Sequence, residues 1–468
     1  MGQTIFEKLW KEHTVARLDA NTYLLYIDRI FIHERTGSIA LQGLESAGRK
    51  VRSPDQVFAC MDHIVDTFPG RTDETRVPGG TAFITATREA ANAAGITVFD
   101  LGDERQGIVH IVAPEQGISL PGVTLVCPDS HTCTQGALGA LAWGIGSTEA
   151  EHAMATKTLV VKKPETMRAN FNGELGFGVS AKDMILHLIG KYSASGGVGY
   201  AMEIAGETVR KLPMEARFTL CNMAVEFGAW SGIISPDDTT FEYAQGRPYA
   251  PKAHLWDQAL AHWKTLPTDP DAIFDKDIDI DCRTITPQVT WGNSPQHETG
   301  IDGVVPNPAD EPDANKRKSI ERALEYMGLE PGTPLEGIPI DAAFIGSCTN
   351  SRLSDLRNAA QILDGRKVAE GVNAICVPGS SQVKKAAEAE GLDKIFEAAG
   401  FEWRESGCSM CFFAGGENFG PEQRVVTSTN RNFENRQGPR TRSHLASPAT
   451  VAASAIKGQL TDVRKLEQ

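Results

Sequence analysis

Long apolar runs are missing from this sequence. Nowhere does it approach the roughly 18 consecutive apolar residues of a membrane-spanning helix, so no membrane partner is expected. The first residues, MGQTIFEKLWKEH, lack the apolar core of a secretory signal, and Phe6 stands where a myristoylation signal wants Ser or Thr. Positive charge is also in short supply. Lys and Arg total 46 against 60 Asp and Glu, a net charge of −14. A nucleic-acid surface needs a basic face, so nucleic acid is not an expected partner. The short basic run Lys316–Lys318 reads as solvated chain. A disulfide framework is absent too, because nine cysteines, an odd number, are scattered over the whole chain. The expected compartment is the cytoplasm, where thiols stay reduced and free to act as ligands.

What remains is an ordinary globular composition, 41% hydrophobic and 23% charged, over 468 residues, enough for about three domains. Short apolar runs alternate with helical patterns. GITVFDLG (95–102) and GVTLVCPD (122–129) read as buried strands, and TAFITATREAANAAG (81–95) reads as a helix with Gly95 at its C-terminal cap. The alternation returns after residue 335. IPIDAAFIG (338–346), NAICVPG (373–379) and FEWRE (401–405) are strand-like, whereas SRLSDLRNAAQIL (351–363) and SQVKKAAEAEG (381–391) are helical. Such alternation predicts an α/β fold in three layers with largely parallel sheets. The Pro-, Asn- and Asp-rich stretch 287–315 is the best candidate linker, and the expected division is 1–165, 166–290, a linker over 291–317, and 318–468. There is no internal repeat and no low-complexity tract.

A single Cys-x-x-Cys occurs, in GCSMC (407–411). Cys348 lies in IGSCTNS, where a strand gives way to a helix, and Cys408 and Cys411 follow the strand-like 401–405. Loops at the carboxyl ends of neighbouring strands converge in an α/β fold, so the three thiols can meet. A redox pair, half of a zinc site and an iron–sulfur site all remain open on spacing alone. Zinc wants four closed ligands, and neither a second Cys-x-x-Cys nor a paired-histidine motif lies nearby. Three thiolates suit a four-iron, four-sulfur (4Fe-4S) cluster with one iron free of protein ligands. Cys60, Cys127, Cys133, Cys221, Cys282 and Cys376 are expected simply to be buried.

IGSCTNS, GCSMC, CPDSHTCTQGALGALAWGIGSTEAEH, CNMAVEFGA and TSTNRNFENRQG, in that company, resemble the aconitase superfamily. The resemblance runs from FEKLW near residue 6 to SPATVAASAIKG near residue 458. It implies three aconitase-like α/β/α domains around a 4Fe-4S cluster held by Cys348, Cys408 and Cys411. It further implies that Asp62 and His63 form an acid pair, and that His110, Asp129, Ser130 and His131 form a hydrogen-bond relay. Asn222, Glu226, Asn430, Arg431 and Arg436 match further relay and substrate positions. The implied activity is a hydro-lyase isomerising 2-isopropylmalate and 3-isopropylmalate through 2-isopropylmaleate, a step of leucine biosynthesis. Citraconate/2-methylmalate, dimethylmalate or homoaconitate would be the substrates of a paralogue, and a cluster-sensing RNA-binding protein is the alternative of another class.

Elementary chemistry fits those residue types. A leaving hydroxyl needs a proton donor, and an imidazole paired with a carboxylate is a tunable one. Arginine suits bidentate carboxylate binding. Taken singly, an Asp-His dipeptide or the DSHT run could be a helix cap, and the two arginines could be surface ion-pair formers. Two departures from the superfamily pattern stand out. The Gly-Ser-Ser-Arg-Glu loop of single-chain members, whose serine is the base, does not occur; the nearest string is PGSSQVKK (378–385). The chain therefore resembles a large subunit that lacks the swivel domain, the base lying on a separate small subunit with which it forms a heterodimer or larger assembly. The continuation CFFAGGENFGPEQRV after Cys411 also differs from that of the biosynthetic members.

Overall fold

A computed structural model describes residues 2–466; Met1, Glu467 and Gln468, at the outer ends of the first and last expected domains, lie outside the described residues. Three parallel sheets dominate. The first orders its strands Thr97–Phe99, Val57–Cys60, Arg29–His33, Thr124–Cys127 and Leu141–Gly144. The second orders Ser231–Ile233, Tyr200–Ala205, Glu165–Asn172 and Lys276–Asp281. The third orders Phe401–Trp403, Asn373–Cys376, Ala342–Ile345, Arg424–Thr427 and Arg442–Leu445. Crossover helices cover both faces of a parallel sheet, so its strands are apolar throughout rather than alternating. The strands Val57–Cys60, Thr124–Cys127 and Ala342–Ile345 are accordingly buried at every position.

Helix ends follow local chemistry. The helix over 81–95 in the sequence reading spans Gly80–Ala93, and Gly95 follows with φ of +72°. Glycine takes that left-handed conformation without a Cβ clash. The helix Leu353–Leu363 follows Cys348, with the carboxylate of Asp355 accepting the Arg352 N–H at its first turn. Ile30 and Val57 belong to the core of the first sheet, Met167 and Ile204 to that of the second, and Ile345 and Val426 to that of the third. Among the described residues no helix is long and apolar enough to cross a membrane.

The stretch expected as a linker is structured. Gln288–Thr290 and Glu298–Gly300 pair as an antiparallel ladder, and the helix Ala314–Met327 begins inside 291–317. Val289 and Thr290 are fully buried. Polar groups there find partners within the fold: Asn432 Nδ2 donates to Thr290 Oγ1 at 3.1 Å, and the Leu445 N–H donates to the same hydroxyl at 2.7 Å. Composition marked the stretch as solvated because it does not reveal partners more than 140 residues away.

Candidate functional site

Carboxyl ends of parallel strands supply the site. Asp62 and His63 follow Val57–Cys60, and Asp129, Ser130 and His131 follow Thr124–Cys127. Cys348 follows Ala342–Ile345, Cys408 and Cys411 follow Phe401–Trp403, and Asn430 and Arg431 follow Arg424–Thr427. His110 lies in the first turn of the helix Val109–Glu115, Asn222 ends the helix Met214–Asn222, and Glu226 sits in the single turn Val225–Phe227.

Imidazoles and carboxylates alternate through a continuous network. His63 Nδ1 meets Asp62 Oδ1 at 2.7 Å and His63 Nε2 meets Asp129 Oδ2 at 3.1 Å. His110 Nε2 meets Asp129 Oδ1 at 2.7 Å, and His131 donates its backbone N–H to that oxygen at 2.8 Å. Asp129 is thus a helix cap, the bland reading of DSHT, and a relay member as well. His131 Nε2 continues to Glu226 Oε1 at 3.0 Å, where Arg431 Nε also donates at 2.6 Å.

Electrostatics separates the members. Burial opposes ionisation of Asp129, but the charge of His110 and hydrogen bonds from His110, His131 and His63 hold its carboxyl well below the usual carboxylate range. Burial would likewise strip the proton from His63, yet the Asp62 carboxylate beside it raises the imidazole well above its ordinary value. The Asp62 carboxylate thus favours the protonated form of His63.

The thiols close the other side. Ser347, directly before Cys348, has φ of +88°, and Ser409, directly after Cys408, has φ of +46°. Left-handed backbone at a residue with a Cβ costs about 1–2 kcal/mol, and such strain persists only where surrounding contacts enforce it. Here Ser351 Oγ donates to Ser347 O at 2.5 Å, and Ser409 Oγ bonds the Glu417 carboxylate. The Cys408 N–H donates to Asp62 O at 2.9 Å, which ties the thiol loop to the imidazole loop. Asn222 Nδ2 and Asn430 Nδ2 approach Cys348 Sγ at 3.2 and 3.4 Å, and Thr349 Oγ1 joins the two amides. The three cysteines, His63, His110, His131, Asp129, Ser130, Arg431 and Arg436 all face one cavity of about 140 Å³. Asp62, Asn222, Glu226 and Asn430 bond to residues that line it. All nine cysteines are free and buried. Burial pushes the Cys348 and Cys408 thiols up, so neither is a spontaneous nucleophile. A soft metal centre would supply the charge that deprotonates them.

Several neighbours carried no signal in the motifs. Glu34 accepts the Asp62 N–H at 3.0 Å and also holds the Ile64 N–H; burial, with Asp62 nearby, pushes its carboxyl up to about 7. His33 stacks on His63 with ring centroids 4.0 Å apart, and burial lowers it to about 4. The buried Lys182 Nζ donates to Ser428 O at 2.9 Å and Thr429 O at 2.5 Å, just ahead of Asn430. The position of His33 and Glu34 at the carboxyl end of Arg29–His33 is the one cue that marked them.

Glu417 pins the Cys408–Cys411 loop, accepting from the Thr67 N–H, the Thr67 and Ser409 hydroxyls and Arg404 Nη1. Glu417→Ala leaves the buried Arg404 guanidinium with Glu402 as its remaining carboxylate partner and strips the Thr67 and Ser409 hydroxyls of an acceptor. The expected cost is about 2 kcal/mol, read as a lower urea midpoint. A midpoint within error of the unaltered chain would show that other contacts hold the loop.

Strand-end loops of parallel sheets here unite thiols, paired imidazoles and arginines around one cavity, a proton relay set beside soft metal donors. The model of the aconitase family (aconitate hydratase) matches residues 7–458, and the chain belongs to that family. The chain is 53% identical over 467 residues to 3-isopropylmalate dehydratase large subunit 1 of Bradyrhizobium diazoefficiens, covering 100% of this chain and 98% of that relative. Among solved structures, the chain is similar to aconitase X of Thermococcus kodakaraensis in its holo-form, at 12% identity and a TM-score of 0.45 over 87% of this chain and 84% of that one.

Proposed function

We propose that this chain is the large, cluster-binding subunit of a 3-isopropylmalate dehydratase, built as three α/β units, one around each parallel sheet. It isomerises 2-isopropylmalate and 3-isopropylmalate through 2-isopropylmaleate. The observation that carries the reading is that the three thiols and the carboxylate–imidazole relay face the same cavity. A soft three-thiol donor set without a fourth protein ligand fits a 4Fe-4S cluster better than closed tetrahedral zinc. Cys348, Cys408 and Cys411 would hold that cluster, and the amides of Asn222 and Asn430 would steady the Cys348 sulfur. When bound, it supplies an open iron that polarises a substrate hydroxyl as a Lewis acid.

This chain's own side chains divide the remaining work. His63, protonated beside Asp62, offers its proton to a departing hydroxyl at Nε2. Asp129 orients His63 and His110 and gives the proton a path between them. Glu226 fixes His131 and Arg431, and Arg431 and Arg436 receive substrate carboxylates. No Gly-Ser-Ser-Arg-Glu loop occurs to take the proton from carbon, so that base comes from a small subunit closing over the cavity. Closure would also exclude water and strengthen each charge interaction.

The test is anaerobic co-purification with a small partner of about 20 kDa, the size of one modest domain. Adding it to the cluster-loaded large chain should bring activity that saturates near one-to-one, with 2-isopropylmaleate hydrated faster than citraconate or homoaconitate. Full activity from the large chain alone would place the base within these 468 residues and overturn the subunit division.

A further inference from the structure

The carboxylates around the cavity are already committed. Asp62 bonds His63 and the Val109 N–H, Asp129 serves His63, His110 and the His131 N–H, and Glu226 serves His131 and Arg431. Two other guanidinium groups line the same cavity without such a carboxylate partner among the described residues. Arg436 Nε is buried and has no hydrogen-bond acceptor among the described residues. Arg35 is the second residue of the helix Glu34–Ser46, exposed at the mouth of the cavity, and its guanidinium lies 4.7 Å from the centroid of the Phe412 ring. The Arg436 guanidinium lies 5.6 Å from the same centroid. Phe412 directly follows Cys411 in the unusual CFFAGGENF continuation and also touches His63, with ring centroids 5.5 Å apart.

An aromatic face holds guanidinium groups by cation–π attraction without consuming their N–H donors. Two guanidinium groups braced on one ring leave unspent positive charge and outward N–H donors at the cavity wall. A planar carboxylate from outside the chain satisfies both demands, since it accepts two parallel hydrogen bonds and neutralises charge. Arg431 differs because Glu226 already compensates it.

We infer that Arg35 and Arg436, braced on Phe412, form a clamp for the second carboxylate of the substrate, with Arg35 as a specificity-determining residue that selects 2-hydroxy diacids over monoacids. This rests on the hydro-lyase reading above and deepens it. Phe412 supplies the apolar wall beside the clamp, against which an alkyl substituent of the diacid lies.

The experiment uses the cluster-loaded two-subunit complex with Arg35→Gln, Arg35→Lys and Phe412→Leu. Kinetics are compared for 2-isopropylmalate and for its monoamide, in which the carboxylate remote from the carbinol carbon is a carboxamide. Arg35→Gln should raise KM for the diacid ~10–100-fold, as losing a charge-assisted bond does, with kcat within about threefold because the contact exists in ground and transition states alike. The monoamide should be unaffected, so the preference for the diacid collapses. Arg35→Lys should recover part of the affinity, and Phe412→Leu should weaken it by loosening both arginines. Calorimetry with succinate and the full-length chain supplies a readout independent of turnover, in which Arg35→Gln should bind at least tenfold more weakly. Equal KM changes for diacid and monoamide overturn the clamp. So does equal succinate binding, or none by the unaltered chain at millimolar concentration. If the unaltered complex ignores 2-isopropylmalate while the succinate difference persists, the substrate assignment fails and the clamp stands.

Discussion

A Cys348→Ser chain will emerge from anaerobic reconstitution short of iron and sulfide, and its complex with the small subunit will be inactive. Cys408→Ser and Cys411→Ser will behave alike. A hydroxyl is a far weaker acid than a thiol and a harder donor, so it does not replace thiolate toward iron. The site also offers no substitute, because the imidazoles nearest the thiols are held by carboxylates. Iron and sulfide analysis reads the outcome directly, and Cys376→Ala is the control. Cys376 is equally buried and lies in the same sheet, but it belongs to the apolar core rather than the cavity. Its variant should keep a full complement of metal. A Cys348→Ser chain with unreduced iron would remove Cys348 from the ligand set.

The second large effect is on turnover. His63→Ala should lower kcat ~10²–10⁴-fold, the usual contribution of a positioned acid, while KM moves little. Asp129→Asn should cost about as much, since that carboxylate holds His63 and His110 and caps the turn bearing His131. The Asn variant keeps the shape but loses the charge, and the pH profile separates the two losses. With Asp129 neutral, the alkaline limb of the rate profile should move to lower pH, because His63 then gives up its proton more readily. Near-normal turnover by His63→Ala would exclude it as the donor.

Much of this arrangement was legible in the sequence. The strands expected at 95–102, 122–129, 338–346 and 373–379 appear as Thr97–Phe99, Thr124–Cys127, Ala342–Ile345 and Asn373–Cys376. Continuous apolar runs bounded by glycine and proline are strong signals when both sheet faces are buried. The rule that strand ends converge brought Cys348 and Cys408 together across their separation. Glu34, Arg35 and Glu417 stayed invisible because the meaning of each lies in partners far along the chain, which no local pattern reveals. Glu417, for example, meets Thr67 across 350 positions. The 287–315 stretch misled for the same reason, its polar side chains bonding inward to Asn432 and Leu445.

The bond from Cys408 to Asp62 also bears on how the protein is made. The two residues are 346 positions apart, so at roughly 5–20 residues per second the ribosome releases the second about 20–70 s after the first. Through that interval the imidazole loop is present without its thiol counterpart. Arg424–Thr427, which pairs beside the central strand Ala342–Ile345, arrives later still. All three thiols are on the chain by residue 411, but the cavity they face is complete only after Arg424–Thr427 pairs and Arg431 and Arg436 arrive. A chain stopped before Arg424–Thr427 therefore carries all three thiols but lacks the wall formed by Arg431 and Arg436.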